Sequence, residues 1–199
     1  MNQYPVMEHF YTIQGEGVYA GYAAYFIRLA GCDVGCTWCD VKESWHTEGY
    51  PKMSEHDMLE LLLAAGANRC VITGGEPTLY DLNPICDLFH ENGITMHIET
   101  SAVNEIRGNF DWICVSPKKF KTPIKQEVEK AHELKVVIFN KSDFQWAEDW
   151  APFCNQTCKL LLQPEWDKKE AMMPIIIDYV KANPHWQISL QTHKYIHVP

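Results

Sequence analysis

The fold class predicted by the sequence is α/β: an incomplete, open TIM-like barrel with mainly parallel strands and trimmed helices. Three observations predict it. Short β-rich runs alternate with helical patterns, which implies a mainly parallel sheet. The chain has 199 residues, whereas eight complete strand–helix units usually take about 250. The stretch from Glu99 to Asp111 is too short for a proper crossover helix.

Taken in order, the predicted strands are Ala24 to Leu29, Arg69 to Thr73, Thr95 to Ile98, Trp112 to Val115, Leu134 to Phe139, Lys159 to Leu162 and Trp186 to Leu190, each rich in β-branched or other apolar residues. Between the first two, Ser54 is placed to cap a helix running to Ala65, with Leu59, Leu62 and Leu63 on one face and Gly66 as its stop. Asn83 to Asn92 reads as a helix ended by Gly93. Lys168 to Ala182 is a third, in which Pro174 must delay the start or kink the axis because its ring nitrogen cannot donate to the preceding turn.

With 46% hydrophobic residues and no Ser/Gly linker or shift in composition, residues 1–199 read as a single domain. Seventeen Lys and Arg against 26 Asp and Glu leave a net charge of −9, which repels a phosphate backbone and argues against nucleic acid as partner. The local cluster Lys118, Lys119, Lys121 and Lys125 reads equally as a solvated loop or an anion site. No apolar run reaches the length of a membrane span, and no secretory pattern precedes Met7 or Tyr19, so a cytoplasmic enzyme without a membrane anchor is expected. In a reducing compartment the clustered members of the eight cysteines are ligands sooner than disulfides.

Nearly every predicted strand ends in a polar or turn-forming cluster, which in a barrel would converge on one rim where the chemistry sits. After the first strand come Cys32, Cys36 and Cys39, a C-x3-C-x2-C run on a glycine-flanked loop; after the second, Thr73-Gly74-Gly75-Glu76-Pro77; then Glu99-Thr100-Ser101, Ser116-Pro117-Lys118, Gln163-Pro164-Glu165 and Gln191-Thr192-His193. Short-spaced thiolates select soft metals and suit an iron–sulfur cube, and three ligands for four irons leave one iron open.

The cysteine run with Trp38 inside it, followed by Gly74-Gly75-Glu76-Pro77, resembles the radical S-adenosylmethionine superfamily. The opening Thr12-Ile13-Gln14-Gly15-Glu16-Gly17, the run Phe26 to Cys32 and the pair Cys39-Asp40 narrow the resemblance, over essentially the whole chain, to the 7-carboxy-7-deazaguanine synthase family. The resemblance implies a lyase that contracts 6-carboxy-5,6,7,8-tetrahydropterin to a 7-carboxy-7-deazaguanine, with loss of ammonia, on the way to queuosine. It implies a 4Fe-4S cluster on Cys32, Cys36 and Cys39, whose open iron chelates S-adenosylmethionine for reductive cleavage to a 5′-deoxyadenosyl radical. An electron donor such as a flavodoxin or ferredoxin and a homodimer belong to the same expectation.

Carried over by residue, the resemblance places Ile13, Gln14, Gly15, Arg28 and Thr73 on the pterin, with Arg28 at its carboxylate and the terminal Pro199 at its amino-pyrimidine edge. Trp38, Cys39, Asp40 and Gly75 would contact S-adenosylmethionine, with Ser116, Pro117 and Lys118 at its adenosyl end. A planar guanidinium suits a carboxylate on chemical grounds as well. The family also uses Mg2+, held by a Thr or Ser hydroxyl directly after Cys-Asp. Here that residue is Val41, whose side chain offers a hard ion no oxygen.

Glu76 reads as fixing its loop by hydrogen bonds in preference to acting as a base. Cys70, Cys86 and Cys114 read as core packing, and Cys154 with Cys158 as half a metal site lacking completion. His193 ends a strand and is a candidate to touch substrate or the cluster surroundings. Trp45, Trp146, Trp150 and Trp166 are assigned to no ligand, and exposed apolar residues around Trp146, Trp150 and Phe153 are taken as a dimer surface. Two other functions compete: a small activase that abstracts hydrogen from a partner protein's glycine, and a structural zinc knuckle on Cys32, Cys36 and Cys39 with a distant fourth ligand, His46 or Cys158.

Overall fold

The structure is a computed structural model that describes residues 2–199. Nine strands form one sheet: β1 (Tyr4–Ile13), β2 (Ala23–Leu29), β3 (Lys52–Met53), β4 (Arg69–Gly74), β5 (Thr95–Thr100), β6 (Trp112–Val115), β7 (Glu133–Ile138), β8 (Lys159–Pro164) and β9 (Trp186–Ile188). Their order is β3-β1-β2-β4-β5-β6-β7-β8-β9, and the two ends do not pair, so the barrel is open. From β2 to β9 every neighbour is parallel; β1 joins β2 and β3 antiparallel.

The seven parallel strands are those predicted from apolar runs. The expected count of seven falls short because β1 and β3 lie outside it. Past its first three residues β1 presents no buried residue, the pattern of a strand half-covered at the margin of a sheet. Its Glu8 and His9 interrupt any apolar run. The two-residue β3 has no periodicity to read.

Six α-helices flank the sheet: α1 (Glu55–Ala64), α2 (Asn83–Glu91), α3 (Lys125–Glu129), α4 (Ser142–Trp150), α5 (Lys169–Ala182) and α6 (Thr192–Ile196). Ser54 caps α1 through a reciprocal pair with Asp57, and Gly66 follows in the left-handed region at φ 72°. The face α1 buries is Met58, Leu59 and Leu62; Leu63 is 48% exposed and belongs to the solvent side, a correction to the predicted stripe. In α5 Pro174 neither delays the start nor ends the helix. As the sixth residue its missing N–H forfeits one bond to the first turn, while buried Met172 and Ile176 anchor the helix across it. No helix separates β5 from β6.

The core is continuous from Tyr4 to Trp186 and holds Cys70 and Cys86, with Cys114 also buried. Trp150 lies in that core at 5% exposure, and Trp146 and Phe153 pack against it. These three are thus not the exposed apolar patch the sequence suggested: Trp150 is buried, Trp146 and Phe153 are partly covered, and Trp146 donates its indole N–H to the Pro117 carbonyl at 3.2 Å. Among the described residues no helix is long and apolar enough to cross a membrane.

Candidate functional site

The parallel strands all end on the same side, and their last residues surround a cavity of about 270 Å3. Arg28, Thr73, Gly74, Glu99, Thr100, Val137, Gln163 and Pro164 come from strand ends, Gly75, Glu76, Ser116 and Glu165 from the turns beyond, and His193, expected at a strand end, from α6. The cysteine loop forms one wall, with Cys32, Cys36, Trp38, Cys39, Asp40 and Val41 all lining the space. Of the site residues expected from the sequence, Ile13, Gly15 and Pro117 do not reach it.

The three thiols sit together, packed with Val34 and Val103. Cys39 N–H donates to the Cys36 carbonyl at 3.1 Å, and Lys121 ties the loop to the far rim through Asp33 at 2.5 Å. Burial pushes the Cys32 thiol up and the Cys36 thiol to about 11, against the partial pull of Lys118 on Cys36. Among the described residues no three His, Cys, Asp or Glu side chains come together around a single ion. Cys154 and Cys158 likewise gain no third ligand.

Gly75 needs its hydrogen. A Cβ there would lie 2.4 Å from the Gly31 carbonyl oxygen and 2.6 Å from Cys32 Cβ, so only glycine lets the β4 turn pass beside the cysteine loop. Two backbone bonds hold the approach, Gly75 N–H to Leu29 O at 3.0 Å and Glu76 N–H to Gly31 O at 2.8 Å.

Glu76, 1% exposed, accepts from five donors. They are the Thr78 N–H (3.1 Å), the Thr78 hydroxyl (2.6 Å), the Thr100 hydroxyl (2.5 Å), the Ser101 N–H (2.9 Å) and the Ser101 hydroxyl. With both oxygens engaged it ties the β4 turn to the β5 turn. Glu76→Gln puts an amide donor where only acceptors fit, and is expected to lose roughly 2–3 kcal/mol in urea unfolding. A loss of activity at unchanged stability would instead make Glu76 a base.

The opposite wall is a buried charge network that the sequence does not announce. Lys135 on β7 is 3% exposed, with Nζ 2.5 Å from Glu16 and 3.2 Å from Glu99. Glu99 also accepts from Gln14 at 3.0 Å, and Glu16 from Gln191 at 2.8 Å. Burial works against the Lys135 charge, but neighbouring Cys114 and the carboxylates of Glu16, Glu99 and Glu133 overcome it and hold the ammonium well above the ordinary lysine value. Burial likewise opposes the Glu16 charge, and Lys135 prevails, lowering it to about 2.

Gly15 sits beneath His193: a Cβ at Gly15 would be 2.1 Å from His193 Nδ1. Its carbonyl accepts from the Thr192 N–H at 2.8 Å, so Gly15 shapes the site by letting His193 in. Burial lowers the His193 pKa. Ile13 ends β1 opposite Ala23, and Pro117 is buried off the cavity with its carbonyl on Trp146. Arg28 faces the cavity but is also paired with Glu8 at 2.6 Å. Lys118 donates to the Ser116 hydroxyl and lies 5.7 Å from the Trp38 ring centre, its pKa lowered by burial. The terminal Pro199 lines the cavity, its carbonyl 3.4 Å from the Thr12 hydroxyl.

The Radical SAM superfamily model matches residues 26–138. A 7-carboxy-7-deazaguanine synthase of Flavobacterium psychrophilum is 50% identical over 195 residues, covering 98% of this chain and 92% of the relative. One from Escherichia coli (strain K12) is 34% identical, covering 98% and 99%. The crystal structure of QueE from Escherichia coli superposes with a TM-score of 0.88 at 33% identity, covering 96% of this chain and 95% of that one.

Proposed function

This chain belongs to the 7-carboxy-7-deazaguanine synthase family of radical S-adenosylmethionine enzymes, and from that premise we propose that it converts 6-carboxy-5,6,7,8-tetrahydropterin to 7-carboxy-7-deazaguanine with release of ammonia. It is thereby a carbon–nitrogen lyase of queuosine biosynthesis. The observation that supports this most is the meeting, around one cavity, of three thiols, a glycine turn that can pass beside them, and an arginine on the same wall.

The enzyme carries a 4Fe-4S cluster, uses S-adenosylmethionine and needs a reductant; when bound, these supply an electron and a hydrogen-abstracting radical. The protein supplies placement. In our reading Cys32, Cys36 and Cys39 hold three corners of the cluster, and Trp38, Asp40 and Gly75 flank S-adenosylmethionine with Ser116 and Lys118 toward its adenosyl end. Gln14, Arg28, Thr73 and Pro199 face the pterin. Ile13, Gly15 and Pro117 act through backbone shape, since none of the three borders the cavity.

Magnesium stands apart. Val41 lines the cavity with methyl groups only, and its carbonyl accepts from the Ser44 hydroxyl at 2.7 Å and the Ser44 N–H at 3.1 Å. The residue at this position therefore has no oxygen free for a hard ion. The unmodified protein is expected to turn over with little response to added Mg2+, and Val41→Thr to gain a several-fold Mg2+ stimulation, read as initial rate against Mg2+ concentration. Strong stimulation of the unmodified protein would place other ligands on the ion.

We further read residues 1–199 as a single domain of a cytoplasmic enzyme, reduced by a flavodoxin or ferredoxin and paired as a homodimer through a surface other than the Trp150 face. The deciding experiment incubates anaerobic, reconstituted protein with reductant, S-adenosylmethionine and carboxytetrahydropterin. Mass spectrometry is expected to find the deazapurine, and its absence sinks the proposal. The glycine-radical activase reading has no observation in its favour beyond the shared cysteine spacing.

A further inference from the structure

We propose that Glu8 is a positioning residue for Arg28: its carboxylate holds the Nε edge of the guanidinium at the margin of the cavity and leaves the other donors to receive the carboxylate of the tetrahydropterin. The inference rests on the substrate reading above. Glu8 on β1 and Arg28 on β2 stand directly opposite one another in the antiparallel ladder. Arg28 Nε–H donates to Glu8 Oε1 at 2.6 Å, and among the described residues the Arg28 side chain has no other hydrogen-bond partner. Arg28 lines the cavity and Glu8 does not, so the pair meets at the cavity's edge and the Glu8 carboxylate takes none of its space. A guanidinium carries its N–H donors in a fixed planar fork. With the Nε–H engaged, the Nη donors stay unpaired, and a forked pair of donors matches the two oxygens of a carboxylate.

The contact is built into the sheet. The β1–β2 ladder has one irregularity, between Val6 and Glu8: Val6 pairs with Leu29 and Glu8 with Arg28, so Met7 is an extra residue on β1. In an unbroken register Met7 would stand opposite Arg28, and Glu8, opposite Ile27, would point to the other face of the sheet. A bulge that re-aims one side chain in this way is a common device beside active sites. Two residues further on, Phe10 stands opposite Phe26 with the rings stacked at 5.6 Å, and both line the cavity, which fixes the two strands next to the ion pair. What Glu8 supplies is geometry. The side chains are 20% exposed for Arg28 and 43% for Glu8, and an ion pair so open to water adds little stability. Its effect falls on the ligand: a long, rotamer-rich side chain already held in place need not be immobilised when the carboxylate binds.

The test is binding without turnover: reconstituted, unreduced holoenzyme with S-adenosylmethionine, measured by anaerobic equilibrium dialysis against carboxytetrahydropterin and against 6-methyltetrahydropterin, which lacks the carboxylate. Glu8→Ala is expected to weaken the carboxylated ligand about five- to tenfold while leaving the methyl analogue and S-adenosylmethionine within about twofold. Glu8→Gln keeps an uncharged acceptor for the Nε–H and is expected to stay within about twofold of the unmodified protein for both pterins. A Glu8 that merely competes with the substrate for Arg28 would instead make both variants bind the carboxylated pterin more tightly. That result, unchanged affinity in Glu8→Ala, equal weakening of both pterins, or the same loss in Glu8→Gln as in Glu8→Ala overturns the inference. Failure of the unmodified protein to make the deazapurine overturns instead the substrate reading on which it rests.

Discussion

Lys135→Met is expected to destabilise the protein by about 3–5 kcal/mol, the usual cost of stranding a buried charge by removing its partner, and to reverse the pH response of the fold. In the unmodified protein Glu16 is held near 2 by Lys135, below its ordinary 4.5. A depressed carboxylate contributes stability that is fully present above its unfolded value and is lost as pH falls from about 4.5 toward 2. With methionine at 135, burial outweighs the Gln191 and Gln163 hydrogen bonds that remain on Glu16 and raises its folded pKa above the unfolded one. Stability should then increase as pH falls from the raised folded value toward the unfolded 4.5. Urea midpoints at pH 7, 5.5 and 4.5 read the sign directly: unmodified protein flat or falling, variant rising. A variant that tracks the unmodified protein at every pH would show that the Lys135–Glu16 pair is not what holds this wall.

The largest effect on activity is expected from the cysteine wall. On the proposed reading, in which each thiolate holds a separate iron, alanine at Cys32, Cys36 or Cys39 should each abolish deazapurine formation and remove the brown colour and the absorption near 400 nm of the reconstituted protein. Alanine at Cys154 or Cys158 supplies the control. That pair shares the C-x3-C spacing of Cys32 and Cys36 but gains no third ligand and lies away from the cavity, so both variants should keep full iron content and rate. Iron and sulfide assays beside product analysis check both halves. Retained colour after loss of any one of the first three, or loss of iron on changing Cys154, would move the cluster elsewhere.

Within the resemblance, the chemistry was legible early because its signals are local. Three cysteines within eight residues and a Gly-Gly-Glu-Pro turn carry their spacing with them, and parallel strands buried on both faces read as continuous apolar runs. The parallel strands, edge strand β9 included, were visible as apolar runs, whereas Glu8 and His9 interrupt β1 and β3 has only two residues. Glu76 was also readable as a loop tie, since hydroxyl-bearing Thr78, Thr100 and Ser101 close both the second and third strand ends.

The rest of the site was hidden for a physical reason. Lys135 and Glu16 are 119 residues apart, and in the sequence Lys135 is one polar letter inside an apolar strand. Trp150 and Trp45 are the same residue type, yet one is in the core and the other on the cavity wall. The cysteine spacing expected of a cluster loop is a matter of short distances along the chain, so the sequence carried that expectation by itself. Burial is a property of what packs over a residue from elsewhere in the fold. Only the tertiary structure could decide that Lys135 is a buried counter-ion, that Trp150 anchors the core and that Trp45 borders the cavity.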